Sequence, residues 1–193
     1  MDVEIGRRMT AFVCDLLGVT EEKAVALRRE NFLRYGTTLS WLREAHGFRD
    51  IDAFLEATHP PDPSRFLGRD DRLIELLDRL ERPAAVLTNS PREHAERVLS
   101  VLGLDGRFEA LYDIRYNEFK GKPHSSAYLR PLQELSWPAE EVLFLDDAPT
   151  YVEGFIELGG HGVLVDEGGG RAAAHPQLTT IHSVHDLGRL LGV

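Results

Sequence analysis

The chain has little with which to cross-link itself, enter a membrane or grip a nucleic acid. Its 193 residues include one cysteine, Cys14, so an internal disulfide framework is excluded and a reducing, cytoplasmic setting is expected. No apolar run nears the length of a membrane span. The N-terminal stretch MDVEIGRRMTAFVCDLLG is amphipathic and carries acids, unlike a signal peptide. Positive charge is scarce: 22 Lys and Arg stand against 32 Asp and Glu, a formal net charge of -10. That balance argues against nucleic acid or an anionic membrane as a partner, and an anionic substrate would need a locally positive site.

What is present suits one domain with a modest insertion, with 42% hydrophobic residues to form a core. The first third reads as helix. Ile5, Met9, Phe12, Val13, Leu16 and Leu17 recur at helical spacing up to Gly18, and Thr20 followed by Glu21 and Glu22 reads as a cap with acids in the first turn. A second helix runs through Ala24, Leu27, Phe32 and Leu33 to Tyr35-Gly36, and short helices follow at 39–46 and 50–57. The stretch His59-Pro60-Pro61-Asp62-Pro63 excludes helix and reads as a linker.

Strand and helix then alternate. The pattern predicts a helix at 70–80, strand 84–88, helix 91–102, a short strand near 110–114 and helix 125–135. Strand 142–146, helix 149–158 and strand 162–166 follow, then a Gly- and Ala-rich loop at 167–177 that is expected to be mobile. A short strand at Thr180 and Ile181 and a last helix at 184–192 close the chain. Strands separated by helices imply parallel βαβ units. The expected fold is therefore α/β, a three-layer Rossmann-like parallel sheet, with a helical cap at 1–63 and an α/β core at 64–193. Ligands of such sheets bind at the carboxyl ends of the strands.

Three features fall near those ends. The run VLFLDD at 142–147 reads as a buried strand tipped by Asp146 and Asp147. Adjacent carboxylates repel and resist desolvation, so something positive must meet them, and Mg²⁺ is the common answer. Strand 84–88 runs into Thr88-Asn89-Ser90-Pro91, where a hydroxyl and the N–H groups of a starting helix can receive an anion. Lys122, beside Pro123, can offset phosphate and carboxylate charge, with Lys120 as a competitor. Each feature alone also has an ordinary reading: Ser, Thr and Asn cap helices, loop lysines are solvated, and Asp147 can cap a helix starting near Pro149.

In order, Thr88, Lys122 and Asp146, 34 and then 24 residues apart, resemble the haloacid dehalogenase superfamily. The segments RYGTTLSWL (34–42), VLTNSPREHAERVLSVLGL (86–104), GKPHSSAY (121–128) and LFLDDAPTYVEGFIELG (143–159) resemble its pyrimidine 5'-nucleotidase-like branch over about residues 1–166. The resemblance implies a Mg²⁺-dependent phosphomonoester hydrolase acting on small phosphorylated metabolites, nucleoside monophosphates among them. Thr88 would hold a phosphoryl oxygen with help from the Asn89 backbone. Lys122 would offset charge, Asp146 would bind the metal, and Asp147 would act on it at one remove. The attacking aspartate of such enzymes lies in a DxDx[T/V] motif on a first, central strand. This chain begins where the family's cap helices begin, and the nearest lookalike, Asp50-Ile51-Asp52-Ala53, falls in the helical segment.

The chain by itself is therefore expected to be inactive, through a late start, a trimmed terminus or descent to a homologue that binds phosphate or metal without catalysis. An exposed sheet edge left by a missing strand would favour self-association. Two further departures fall at Ala148 and Tyr151, where the family often has Ser and Asn. The histidines His161, His175, His182 and His185 match no zinc pattern, and Gly168-Gly169-Gly170 reads as a flexible loop. His94 is expected to pack or hydrogen-bond locally, and Phe32, Tyr35, Trp41 and Phe54 to build the core of the cap.

Overall fold

The computed structural model describes residues 1–192, with the side chains of residues 2 and 33 outside the description; the expected apolar role of Leu33 thus lies outside the described residues. The chain runs α1 (Asp2–Leu17), α2 (Glu21–Tyr35), α3 (Thr38–His46), α4 (Ile51–Thr58), α5 (Asp71–Leu80), β1 (Ala85–Leu87), α6 (Arg92–Leu102) and β2 (Ala110–Tyr112). It continues with α7 (Ser125–Leu135), β3 (Leu143–Asp146), α8 (Pro149–Ile156), β4 (His161–Val165), α9 (Arg171–Ala174), β5 (Thr179–Ile181) and α10 (Leu187–Leu191). Side chains set several starts: Thr20 accepts from the Lys23 N–H, Thr37 from Ser40, Asp50 from Ala53 and Asp70 from Leu73. Each satisfies a first-turn donor that the helix itself leaves unpaired. Among the described residues no helix is long and apolar enough to cross a membrane.

The residues form two compact units. The first comprises 1–69, 86–106 and 111–121; the second comprises 70–85, 107–110 and 122–193. In the first, Val13, Ala24, Leu39, Trp41, Leu42, Phe54, Leu55 and Ile114 form one apolar cluster. Phe12 meets Phe48 and Phe54 edge to face. Arg28 ties three helices together: its guanidinium donates to the Gly6 carbonyl at 2.7 Å, the Thr10 hydroxyl at 2.6 Å and the Thr38 hydroxyl at 3.2 Å. A part-buried cation is tolerated there because oxygens meet it on several sides.

The stretch after α4, read from sequence as a linker, is packed in part, with Pro61 and Asp62 exposed. Thr58, His59 and Pro60 are buried, and Pro63–Arg65 makes a 3-10 turn capped by Asp62. Proline removes backbone donors, so such a segment can enter a core without leaving N–H groups unpaired.

The second unit holds a parallel sheet in the order β3-β4-β5. Side chains alternate across it as strand geometry requires. Val163 joins Leu76, Ile181 and Leu187 in one cluster, while its neighbour Leu164 joins Val152 and Leu178 in another. The sheet is thus covered by α5 and α10 on one face and α8 on the other. Helix α8 comes so close to β4 that a Cβ on Gly162 would lie 2.6 Å from Val152 Cγ1. Strand β3 pairs with β4, and among the described residues no strand lies on its other edge. Its four residues are only partly buried, despite an apolar run that reads as a sheet interior. The fold is α/β with parallel pairing, as expected.

Leu164 is fully buried. Leu164→Ala is expected to cost about 2–5 kcal/mol, the usual loss for a large core side chain cut to a methyl group. Urea unfolding of both proteins measures it; a change near zero would mean that the sheet face is not packed as described.

Candidate functional site

Strand β3 ends by delivering Asp146 to the carboxyl edge of the sheet. Lys122 Nζ lies 2.5 Å from Asp146 Oδ2, and the two side chains are each 8% exposed. The other oxygen, Oδ1, accepts from the Ala148 N–H at 2.9 Å. The ammonium also lies 5.3 Å from the ring centres of Phe144 and Tyr151, within cation–π range. Tyr128 supports this corner, its hydroxyl donating to the Tyr151 carbonyl at 2.8 Å. Burial, with the Asp146 charge behind it, pushes that phenol above its ordinary range. Helix α8 reaches the Lys122-Pro123 loop because Gly154 has no side chain: a Cβ there would sit 3.3 Å from Pro123 Cβ. Lys120, the competing lysine, is exposed.

Asp147 points to a different cation. Arg171 Nη1 donates to its Oδ2 at 3.0 Å and to its carbonyl at 2.8 Å. The alternative, ordinary reading of Asp147 as a helix cap is not what the structure shows. Helix α8 starts from Ala148 without a side-chain cap, and Asp146 is the acid that accepts from the turn. Arg171 is in reach because of Asp166. That carboxyl is 1% exposed and accepts from the N–H groups of Gly170, Arg171 and Ala172. Those donors, Ala172 and Gly170 foremost, hold it below the usual carboxylate range. Loop 167–177, expected to be mobile, therefore folds its first part around a buried acid and forms α9. Its glycines bring successive N–H groups to one point.

The Thr88-Asn89-Ser90 turn belongs to the first unit. The Thr88 hydroxyl accepts from the Ser90 N–H at 3.0 Å. Helix α6 follows with Pro91 as its cap residue, and the N–H of Arg92 is already taken by Asp113 Oδ2 at 3.1 Å. Asp113, 7% exposed, also accepts from the Tyr116 N–H. The expectation that this first turn waits for an outside anion is corrected to that extent: a carboxylate of the chain occupies part of it. Asn89 is held close to the backbone, since a Cβ on Gly121 would lie 2.5 Å from its Oδ1.

Beneath Ser90 sits His59. Its Nδ1 lies 2.9 Å from the Leu55 carbonyl, which can only accept, so Nδ1 carries the proton and Nε2 accepts from the Ser90 hydroxyl at 3.2 Å. Burial pushes its pKa down to about 4. His94 packs beside it with ring centres 4.9 Å apart, in line with its expected local role; burial lowers it too.

Of the site residues read from sequence, Thr88 and Asn89 lie in the first unit, and Lys122, Asp146 and Asp147 in the second. Lys122 and Asp146 are in contact, and Asp147 follows Asp146 in sequence. Missed were Arg171, Asp166, Asp113 and His59. Asp166 had a signal, since GVLVD ends an apolar strand in an acid just as VLFLD does.

Residues 66–159 match the family model described as haloacid dehalogenase-like hydrolase. Similar solved structures include L-2-haloacid dehalogenase from Xanthobacter autotrophicus, with TM-score 0.63, 19% identity and coverage of 95% of this chain and 91% of that one. A HAD phosphatase from Thermococcus onnurineus gives TM-score 0.59 at 16% identity, covering 95% and 86%. The HAD-hydrolase YfnB from Bacillus subtilis, bound to magnesium, gives TM-score 0.59 at 14% identity, covering 100% and 82%. The likeness to these structures is one of fold, and the matched segment carries the hydrolase family's pattern.

Magnesium needs a set of oxygens around one point. Asp146 offers one carboxylate, whose oxygens already accept from an ammonium and an amide. Among the described residues no three His, Cys, Asp or Glu side chains are grouped to hold a metal. Taken by themselves, the residues present do not fit the ion.

Removing the ammonium in Lys122→Met is expected to destabilise the fold by about 3–5 kcal/mol, because Asp146 is left charged and buried without its partner. Denaturant unfolding reads this directly, and a neutral result would contradict the buried pair. His59 supplies a pH dependence. In the unfolded chain its imidazole takes a proton near 6.5, and in the folded chain only near 4. Between those values the unfolded state binds more protons, so stability falls as pH falls, by up to about 3 kcal/mol. Unfolding curves across this window should lose part of their slope in His59→Gln; an unchanged slope would remove His59 as its source.

Proposed function

We propose that the chain is a hydrolase of the haloacid dehalogenase type that handles phosphomonoesters of small metabolites, nucleoside monophosphates being the first class to try. The observation that carries this reading is the Lys122 ammonium, held out of water at the carboxyl end of a parallel strand. A chain of net charge -10 repels a phosphate dianion, so the ligand edge needs a cation; Lys122 stands there shared with Asp146, and hydroxyl and N–H donors have to supply the rest. The Thr88 hydroxyl accepts from Ser90, so its own proton is what it has to give a phosphoryl oxygen. The phosphatase among the similar folds supports the same class.

Hydrolysis through a covalent intermediate also needs an attacking carboxylate. Asp113, Asp146 and Asp166 stand at or just past the ends of β2, β3 and β4, and each already accepts hydrogen bonds from protein donors. That favours a second reading for the residues described: they bind the phosphoryl group without turning it over.

Both readings meet in one experiment. Orthophosphate and a pyrimidine nucleoside monophosphate are expected to raise the thermal midpoint of the 193-residue chain, with the shift lost in Thr88→Val. p-Nitrophenyl phosphate release in the same samples is expected to stay at background. Steady release that survives Asp146→Ala would overturn the assignment of the site. No shift with any phosphomonoester would overturn the proposed substrate class.

A further inference from the structure

We propose that the acidic end of β3 is neutralised from within, by Lys122 for Asp146 and Arg171 for Asp147, and that it takes up no divalent cation. The two acids face two cations through separate contacts. Lys122 meets Asp146 Oδ2 at 2.5 Å, and Arg171 meets Asp147 at both its carboxylate and its carbonyl oxygen. Both carboxylate oxygens of Asp146, and Oδ2 and the carbonyl of Asp147, are therefore already in use. Asp146 Oδ1 is bound to the Ala148 amide, and the Asp147 carbonyl is bound to the guanidinium.

A hard cation that demands near-octahedral oxygens would have to push the ammonium off Oδ2. It would then sit beside a positive charge that has little water to retreat into, since the Lys122 side chain is 8% exposed and flanked by the Phe144 and Tyr151 rings. Arg171 is not a chance neighbour. Its backbone N–H is fixed by Asp166, together with those of Gly170 and Ala172, so the buried acid sets where the guanidinium starts. Asp166 is in this sense a positioning residue for the pair Arg171–Asp147. Tyr151, which lines the ammonium, lets a ring face stabilise charge where a polar side chain would favour a hydrated ion.

The inference concerns this edge alone and does not rest on the phosphoryl reading, because the test contains no phosphate. Mn²⁺, used as the metal alone, is titrated into the full chain and followed by its electron paramagnetic resonance signal, with Asp146→Asn as reference. Wild type and Asp146→Asn are expected to give the same weak, unsaturable uptake. Lys122→Met, with or without Arg171→Gln, is expected to gain Mn²⁺ affinity by about tenfold or more, since ligand charge tunes such sites over decades. Adding Asp146→Asn to Lys122→Met should abolish the gain. Saturable submillimolar uptake by wild type that disappears in Asp146→Asn would overturn the proposal. If Lys122→Met does not fold, the comparison of wild type with Asp146→Asn decides by itself, and circular dichroism melts identify that case.

Discussion

A carboxylate buried at the end of an apolar strand, with a second beside it, needs something positive to meet it. The energetic scale makes this a constraint rather than a preference: stripping water from one anion costs several kcal/mol even after relaxation. The second unit meets it with side chains from distant parts of the sequence. Lys122 comes from the loop before α7, and Arg171 is the first residue of α9. The two solutions differ in kind. The Lys122–Asp146 pair is shielded and surrounded by Phe144, Tyr151 and the Ala148 amide, so its strength depends on the packing around it. The Arg171–Asp147 pair is about half exposed, and water and salt screen it. The first holds structure and charge together; the second adds little stability and mainly fixes direction.

Asp146 and Asp166 end neighbouring parallel strands and show how the same local pattern takes two forms. Each follows a short apolar run and has a nearly buried carboxyl group. Asp146 is answered by a side-chain cation and one amide. Asp166 is answered by three backbone amides, which the glycine-rich sequence after it can bring to one point. A stretch of low side-chain content is therefore not one without hydrogen-bonded structure. The backbone supplies the donors, and the acid supplies the reason to order them.

Much of this was legible in the sequence, and the reasons are particular. Helices α1 to α5 show apolar spacing, and Thr20 reads as a cap before α2; both signals are local. The βαβ alternation follows from apolar runs separated by amphipathic ones. Lys122 was legible through its place between Thr88 and Asp146, though nothing local marks it as buried. Arg171 was not legible, because an arginine after three glycines carries no periodic signal and its partner lies 24 residues away. His59 was misjudged for a related reason: prolines on its C-terminal side advertise a break in helix, which is correct, but a break says nothing about burial.

His59 also shows why a segment without regular structure can still govern a site. Leu55 fixes the tautomer of the imidazole, since a carbonyl can only accept, and the remaining nitrogen then accepts a hydrogen bond from the Ser90 hydroxyl. That hydroxyl is the third residue of the Thr88-Asn89-Ser90 turn, whose first residue accepts from the Ser90 amide. Ser90 is held at both ends, by its side chain below and its backbone above. Protonating His59 would convert its accepting nitrogen into a donor and break the first of these holds, and burial resists this down to a pH of about 4. Desolvation, usually counted as a cost, here keeps the imidazole neutral and therefore able to hold the turn through most of the physiological range.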